Sequence, residues 1–458
     1  MNNEPDPDRI APHSRRSFLK RGASAGVAFA GFPAIIPASA LGKAGRPAPS
    51  ERMTLGCIGT GNNGVNWMRN FMRDKRVQVV AVCDVCKESA AYWANSVRGR
   101  EPARKLVEEA GGKGCKPFED FRDLLDMKEV DAVQIATPDH WHGIQVIAAA
   151  RAGKHIYGQK PLSLTIAEGR AMSDAVREAG VTFQTGSQQR SSVHFRKAID
   201  LVRNGYIGKI HTVKVGLPSG TPDYSKRARE TQTVPVPEGL NYDLWLGPAP
   251  KAPFSWARLH VNWRWLLDYS GGQITDWGAH HVDIAQWAMD KQLTGPTKLR
   301  NFSGEFPKPG SFYDTATRFH WECEYGDGLK LIVNDGRDGV RGGVTFEGED
   351  GKWIWCDRGR VDANPKEVLR VEHGEGDRRV TVSNNHVGNF VDCVFSGDEP
   401  IAPIEAAHRT ISIAHLGNIA LRLGRDSLKW DPEKEEIVGD VAAARMLSRE
   451  MRAPWKLG

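Results

Sequence analysis

The sequence lacks the cysteine pattern of a disulfide-stapled scaffold. Its seven cysteines in 458 residues are an odd number without regular spacing. Cys83 and Cys86 form a C-x-x-C pair, but no second cysteine or histidine pair accompanies it, as a zinc site requires. Because Cys83 ends an apolar run, we interpret the pair as core packing and expect no metal site.

The chain also lacks long runs of one chemical character. No lysine- or arginine-rich stretch is present and the net charge is only +6, so we expect no nucleic-acid partner. No apolar run after residue 40 reaches the ~20 residues of a membrane span, which argues against an integral membrane protein. The length is sufficient for two domains, each with its own core.

The first 40 residues have the pattern of a twin-arginine export signal. The motif reads S-R-R-S-F-L-K from residue 14, and a weakly apolar stretch over 22–37 precedes a small-x-small cleavage pattern at 38–40. We therefore expect residues 1–40 to be a signal peptide that the twin-arginine export machinery reads. The folded protein would then reach the periplasm or cell envelope. An uncleaved anchor is the alternative.

Residues 41–190 have the pattern of a Rossmann-type domain. From residue 53 onward, short apolar runs alternate with helical stretches, which is typical of a parallel sheet wrapped by helices. The predicted strands cover 53–58, 77–83, 132–136, 155–157 and 181–185.

A glycine-rich turn follows the first predicted strand, and a helix follows the turn. The free backbone N–H groups at the start of such a helix bind a pyrophosphate. Asp84 ends the second strand, where a carboxylate accepts both ribose hydroxyls and repels a 2′-phosphate, so NAD is favoured over NADP. The turn residues assigned to the cofactor are Gly59, Gly61, Asn62, Asn63 and Gly64.

Two further strands end in unusual residues. In an open α/β sheet, ligands gather at the carboxyl ends of the strands, so both segments are expected to face the nicotinamide. Lys160 stands directly after a strand and before a proline, which favours a functional role. Thr137, Pro138, His142, Lys160 and Pro161 are assigned to the cofactor, and His140 to the substrate.

These motifs resemble the glucose-fructose oxidoreductase, inositol dehydrogenase and MocA (Gfo/Idh/MocA) family. Members usually carry Glu-Lys-Pro where this chain has Gln-Lys-Pro, so Gln159 is a departure. The resemblance implies a Rossmann domain followed by an α+β domain over 191–458, with a large, open, mostly antiparallel sheet. It also implies that a helix over 404–423 packs back toward the Rossmann domain. Alternating segments at 210–215, 315–321, 329–334, 343–347 and 352–356 predict strands of that sheet.

The family's Asp-x-x-x-His motif matches Asp276 and His280, on a helix predicted to begin near residue 275. The resemblance implies that His280 is the catalytic base, and imidazole has a suitable pKa for taking a hydroxyl proton. Lys160 would hydrogen-bond the same oxygen. Asp276 would orient the imidazole or bind a neighbouring hydroxyl. The alternative is a capped core helix with a buried histidine.

Tryptophan is concentrated before this motif, and indole faces stack on sugar rings. Trp263 and Arg264 lie in a segment that resembles exported family members, and we assign both to the substrate. One face of an open sheet stays exposed unless another surface packs on it, and a second subunit commonly provides that surface. We therefore expect a homo-oligomer, either a dimer or a tetramer.

Together the leader and the resemblance predict an exported oxidoreductase with tightly held NAD that is recycled in place. It would act on a hydroxyl carbon of a sugar, sugar alcohol or glycoside. The alternatives are a redox-neutral, NAD-dependent glycoside hydrolase and a non-catalytic NAD-binding sensor.

Overall fold

The computed structural model describes residues 51–220, 226–372 and 374–457. The predicted signal peptide and its cleavage site lie outside the described residues. No helix in the described ranges is long and apolar enough to cross a membrane.

A six-stranded, fully parallel sheet forms the first half of the described chain. The strand order is β3-β2-β1-β4-β5-β6, so the order reverses between β1 and β4, where α/β proteins bind their ligands. The strands are β1 (Met53–Ile58), β2 (Val77–Cys83), β3 (Lys116–Phe118), β4 (Ala132–Ile135), β5 (His155–Gly158) and β6 (Phe183–Thr185).

Helices connect these strands, and their ends carry recognisable signals. The helix between β5 and β6 begins at a cap in which the hydroxyl of Thr165 accepts from the Glu168 N–H, and it ends at Gly180, whose φ is +62°. The helices are α1 (Asn62–Met72), α2 (Arg100–Glu109), α3 (Phe121–Leu125), α4 (Asp139–Arg151) and α5 (Ile166–Ala179).

A nine-stranded sheet forms the second half, in the order β13-β12-β11-β7-β10-β9-β8-β14-β15. Only β7 and β10 pair in parallel, and every other pair is antiparallel. The predicted fold class, a Rossmann domain followed by a mostly antiparallel sheet domain, is confirmed. The strands are β7 (Thr212–Gly216), β8 (Lys298–Glu305), β9 (Arg318–Glu324), β10 (Lys330–Asn334), β11 (Gly343–Glu347), β12 (Trp353–Asp357), β13 (Arg360–Asn364), β14 (Ser427–Asp431) and β15 (Glu436–Val438).

Helices cover one face of the nine-stranded sheet. The longest spans 404–423, as predicted, and packs against both the sheet and the Rossmann helix α5. Arg170 of α5 forms an ion pair with Glu405 at 2.8 Å across this contact. The helices are α6 (Val193–Arg203), α7 (Tyr242–Leu246), α8 (Gln273–Asp276), α9 (Gly278–Ala288), α10 (His386–Ser396), α11 (Ile404–Leu423) and α12 (Val441–Arg445).

Candidate active site

The turn between β1 and α1 has a geometry that only glycine permits at two positions. Gly59 has a φ of +83°, in the left-handed region. A Cβ on Gly64 would lie 1.9 Å from the carbonyl oxygen of Gly59. The turn therefore closes tightly on itself, and it leaves the first backbone N–H groups of α1 available to an anion.

Asp84 directly follows β2, and its carboxylate holds this turn in place through a hydrogen bond. One carboxylate oxygen accepts from the Thr60 N–H at 2.7 Å, and the other accepts from the Cys86 N–H at 2.9 Å. Burial raises the pKa of Asp84. The carboxylate also lines a cavity next to the turn, and this position is compatible with the predicted binding of a ribose by Asp84.

The two asparagines of the turn point in different directions. Asn63 donates from its side-chain amide to Gln159 at 3.1 Å, and thereby links the turn to the end of β5. Asn62 donates to the carbonyl of Trp93 at 3.3 Å. Among the described residues, the Nε2 atom of Gln159 and the Oδ1 atom of Asn62 are buried without a partner. Such orphaned polar atoms mark places where a polar ligand group fits.

Lys160 follows β5 and reaches across to the second domain. Its ammonium donates to the carboxylate of Asp276 at 2.7 Å and to the backbone carbonyl of the same residue at 3.1 Å. The Nε atom of Arg264 donates to the same carboxylate oxygen at 3.4 Å. Burial alone would raise the pKa of Asp276, but the two cations outweigh it and lower the pKa well below its usual range.

His280 lies one helical turn beyond Asp276. The predicted single helix is two helices, because α8 ends at Asp276 and α9 begins at Gly278 with Trp277 between them. His280 is 5% exposed, and its Nδ1 atom has no hydrogen-bond partner among the described residues. Burial, together with the nearby charges of Lys160 and Arg358, lowers the pKa of His280 well below 6.5, so the imidazole is neutral at pH 7.

A cavity of about 620 Å³ connects these groups. The glycine turn and Asp84 line one end, and the Lys160 cluster lines the other. Second-domain residues form its roof. The ring centre of His260 lies 3.7 Å from that of Tyr92, with the ring planes tilted by 35°, and Tyr92 lies next to Gly61. Of the residues assigned from the sequence, Gly59, Gly61, Asn62, Asn63, Asp84, Thr137, Pro138, Lys160, Trp263, Arg264, Asp276 and His280 line this cavity.

Four assigned residues do not line it. Gly64 acts through the closure of the turn, as described above. The ring nitrogens of His142 lie 3.0 Å from the carbonyl of Thr137 and 2.8 Å from that of Pro161, so His142 joins the two loops that follow β4 and β5. Neither His142 nor Pro161 lines the cavity. His140 faces the second domain, where its Nε2 atom lies 3.1 Å from the carbonyl of Trp245. His142 was assigned to the cofactor and His140 to the substrate, but both side chains point into the protein and away from the cavity.

Asp139 and Arg358 are two charged lining residues near Lys160 that were not assigned from the sequence. Asp139, the first residue of α4, is 2% exposed and accepts from the Ser270 hydroxyl at 2.6 Å. Burial raises the pKa of Asp139 to about 6. Arg358 lies on the turn between β12 and β13, with its guanidinium 4.4 Å from the ring centre of Trp277. Asp139 adjoins a motif that the sequence analysis noted, whereas no local signal distinguishes Arg358.

The cavity fits a dinucleotide. The glycine turn offers free N–H groups to a pyrophosphate, and Asp84 stands at the ribose position. The Nε2 atom of Gln159, buried without a partner among the described residues, lies between the turn and Lys160. A nicotinamide bound there would face the Lys160, Asp276 and His280 cluster.

Comparison with known proteins agrees with this geometry. Residues 53–187 match the family model described as "Oxidoreductase family, NAD-binding Rossmann fold". Residues 192–457 match the model described as "Oxidoreductase family, C-terminal alpha/beta domain". Each model corresponds to one of the two sheets.

Individual relatives are more distant. The chain is 27% identical over 241 residues to myo-inositol 2-dehydrogenase of Thermotoga maritima. The matched segment is 53% of this chain and 56% of that protein. It is 27% identical over 222 residues to a glycosyl hydrolase family 109 protein of Saccharopolyspora erythraea, covering 45% and 46%. The chain thus spans about half the length of the curated relatives it matches.

Solved structures show the same fold at low identity. The aldose-aldose oxidoreductase from Caulobacter crescentus, complexed with glycerol, superposes with a TM-score of 0.57 at 18% identity and covers 82% of this chain and 99% of that one. Because the two family models together span nearly all described residues, this chain belongs to the Gfo/Idh/MocA family of NAD-binding oxidoreductases.

Proposed function

We propose that this chain moves hydride between NAD and a hydroxyl-bearing carbon of a sugar, sugar alcohol or glycoside, and that it keeps its NAD and recycles it in place. One observation carries the proposal: Lys160 of the Rossmann domain meets Asp276 and His280 of the second domain at one end of a cavity whose other end is the glycine turn. The relative named as an inositol dehydrogenase supports the carbohydrate class.

The nicotinamide, when bound, supplies the hydride acceptor and donor. The residues of this chain handle the proton. His280 is neutral at pH 7 and takes the proton of the substrate hydroxyl. Lys160 donates a hydrogen bond to the same oxygen and stabilises the negative charge that develops there. Asp276 stays ionised and holds the lysine in place.

The roof of the cavity supports the proposal that the cofactor is retained. Leu240, Leu259, His260 and Val261 belong to the second domain, yet they line the cavity together with the glycine turn. The Nδ2 atom of Asn241 donates to Glu119 at 2.7 Å and ties this roof to the Rossmann domain. A nucleotide beneath such a roof leaves only when these contacts open.

The test uses the purified protein without added nucleotide. Denaturation should release near-stoichiometric NAD, identified and quantified by chromatography. Addition of sugars to the native protein should then change the near-ultraviolet absorbance of the bound nicotinamide. An empty protein that binds NAD weakly would contradict cofactor retention, and a loaded protein that no carbohydrate reduces would contradict the substrate class.

A redox-neutral glycoside hydrolase is the second candidate, favoured by the relative named as a glycosyl hydrolase family 109 protein. Oxidation of a ring hydroxyl acidifies the neighbouring C–H, elimination expels the aglycone, and addition of water followed by return of the hydride completes the cycle. Release of nitrophenol from nitrophenyl glycosides, without added NAD and without net reduction of the bound cofactor, distinguishes this route from oxidation. A non-catalytic sensor would show neither reaction.

We further propose that the protein is exported by the twin-arginine machinery to the periplasm or cell envelope. The support is the S-R-R-S-F-L-K motif and the cleavage pattern that follows it. Replacement of both Arg15 and Arg16 by lysine should leave the protein, with its NAD, in the cytoplasm. Export of that double variant at the wild-type level would contradict the proposal.

We also propose a homo-oligomer, a dimer or tetramer, formed through the open face of the nine-stranded sheet. Along β9 this face carries Arg318, His320, Glu322 and Glu324, all partly exposed. A partner that covers it therefore meets charged side chains, and the association should weaken with salt. Light scattering at low and high ionic strength measures the mass directly.

A further inference from the structure

The Lys160 end of the cavity carries more positive than negative side chains, and Arg358 lies where this end opens to solvent. Lys160, Arg264 and Arg358 line it, together with the carboxylates of Asp139 and Asp276. Both carboxylates are engaged inside the protein. Asp276 accepts from Lys160 and Arg264, and Asp139 accepts from the buried hydroxyl of Ser270.

Among the described residues, Arg358 is the cation of this group that has no carboxylate within ion-pair distance, although the charges of Asp357 and Asp276 act on it. Its neighbour Asp357 lies 3.9 Å from His281 and 3.7 Å from Arg360. Among the described residues, no carboxylate forms an ion pair with Arg358. A positive charge that lines a ligand cavity without a partner attracts an anionic ligand.

Two contacts fix the guanidinium of Arg358. Its face stacks on the indole of Trp277 at 4.4 Å. The side-chain amide of Gln189 is oriented so that its Nε2 atom donates to the carbonyl of His280 at 3.1 Å. In this orientation the side-chain oxygen of Gln189 accepts from the Nε atom of Arg358 at 3.2 Å. The two terminal nitrogens of Arg358 have no acceptor among the described residues. This edge has the fork geometry that binds a carboxylate through two parallel hydrogen bonds.

The position of this fork relates it to the reacting carbon. Gln189 joins Arg358 to the backbone of His280. The indole on which Arg358 stacks belongs to Trp277, the residue between α8 and α9. Arg358 thus lines the same cavity as His280 and Lys160, so a ligand whose hydroxyl lies at those two residues can present a second group to Arg358.

We propose that the substrate is an acidic sugar, and that its carboxylate is bound by Arg358 while a ring hydroxyl faces His280. The proposal rests on the proposed function, since it names the substrate class of the same site. It assigns specificity to Arg358 and leaves the proton chemistry with Lys160 and His280.

The experiment measures binding to the NAD-loaded protein by calorimetry. The ligands are matched at all positions but one: D-glucose, D-glucuronate and D-glucose 6-phosphate, then the corresponding galactose series. The proteins are wild type, Arg358→Gln and Arg360→Gln. Arg360 is the first residue of β13, two positions from Arg358, is highly exposed and does not line the cavity, so its variant removes one nearby charge outside the lining.

The expected result is that, in at least one series, wild type and Arg360→Gln bind the uronate roughly 10- to 100-fold more tightly than the neutral sugar, and that Arg358→Gln loses this preference. High salt should reduce the preference in wild type. No preference in either series, a preference that survives Arg358→Gln, or tighter binding of the phosphate than of the uronate would each overturn the proposal.

A second readout separates this inference from the proposed function. The absorbance of the bound nicotinamide is followed as the same sugars are added. Preferred binding of a uronate without any hydride transfer would support the acidic-sugar site and contradict the proposed reaction. Hydride transfer from neutral sugars, with no preference for acids, would support the reaction and overturn the assignment of Arg358.

Discussion

The ammonium of Lys160 donates a hydrogen bond of 2.7 Å to the carboxylate of Asp276, and the two residues belong to different domains. Lys160 follows a strand of the parallel sheet, whereas Asp276 ends a short helix of the second domain. The side chains are only 14% and 13% exposed, so this is a largely buried ion pair. The reacting cluster therefore exists only when the two domains are docked.

Replacement of Lys160 by methionine should lower turnover roughly 10²- to 10³-fold, because the donor to the substrate oxygen is lost. It should also destabilise the protein, since Asp276 would stay buried with only the longer contact to Arg264. The double variant Lys160→Met/Asp276→Asn should recover stability but not activity. Thermal unfolding and single-turnover kinetics measure the two effects. Recovery of turnover in the double variant would show that the lysine only neutralises the aspartate.

Replacement of His280 by glutamine should lower turnover roughly 10²- to 10⁴-fold while the protein keeps its bound NAD. The matched control is His281→Gln. His281 is the next residue on the same helix and equally buried, but it does not line the cavity. Released nucleotide and the absorbance of bound nicotinamide are measured for both variants. Equal losses of turnover would indicate a structural role for the histidine pair rather than a base at His280.

The pH profile should reflect the lowered pKa of His280. Burial and two neighbouring cations disfavour the imidazolium, so His280 stays unprotonated when the pH is lowered below 7. The value of kcat/KM should therefore begin to fall only below pH ~6.5. Arg358→Gln removes one of those cations, so the pKa of His280 rises and the acid limb should move to higher pH. An acid limb above that value in wild type would mean that a different group is the base.

The glycine turn should not accept a side chain at Gly64. Its Cβ would lie 1.9 Å from the carbonyl oxygen of Gly59, a distance that requires the backbone to move. Gly64→Ala should therefore open the turn, and the purified protein should contain little NAD. The control is Gly342→Ala, where a Cβ meets nothing within 4 Å. Full NAD content in Gly64→Ala would contradict the assignment of this turn to the cofactor.

Local sequence signals predicted much of the Rossmann domain and of the cavity. The turn over 59–64 and the strand-end loop at Lys160 depend on neighbouring residues, and both were placed correctly in the fold. Helix α11 has the bounds that its sequence predicts. Strands β3, β8, β13, β14 and β15 were not predicted. Strand β8 shows the reason most clearly, because its pattern is mostly polar and only Leu299 of its eight residues is fully buried.

The remaining features depend on tertiary packing. His140 and His142 occupy the predicted loop, but the direction of their side chains is set by carbonyls of Trp245, Thr137 and Pro161. Arg358 reaches the cavity from a hairpin turn of a different domain, and only the register of the nine-stranded sheet places it there. No periodicity in one chain carries such information.

Glu168 provides a last prediction, on stability. It lies in α5 and is 2% exposed, and burial raises its pKa to about 7, although the Leu164 N–H and the nearby charge of Arg449 favour ionisation. Because the folded state holds this proton more tightly than the unfolded state, stability should fall as the pH rises between about 4.5 and about 7.

Each pKa unit corresponds to about 1.4 kcal/mol, so ionisation of Glu168 should cost on the order of 3–4 kcal/mol above this window. Glu168→Gln keeps an acceptor for the Leu164 N–H and removes the charge. Its unfolding midpoint should therefore change less than that of wild type between about pH 5 and about pH 8. The control is Glu178→Gln, an exposed position on the same helix, which should follow wild type. A pH dependence of stability that Glu168→Gln leaves unchanged would show that this carboxyl is neutral throughout, or ionised at no cost.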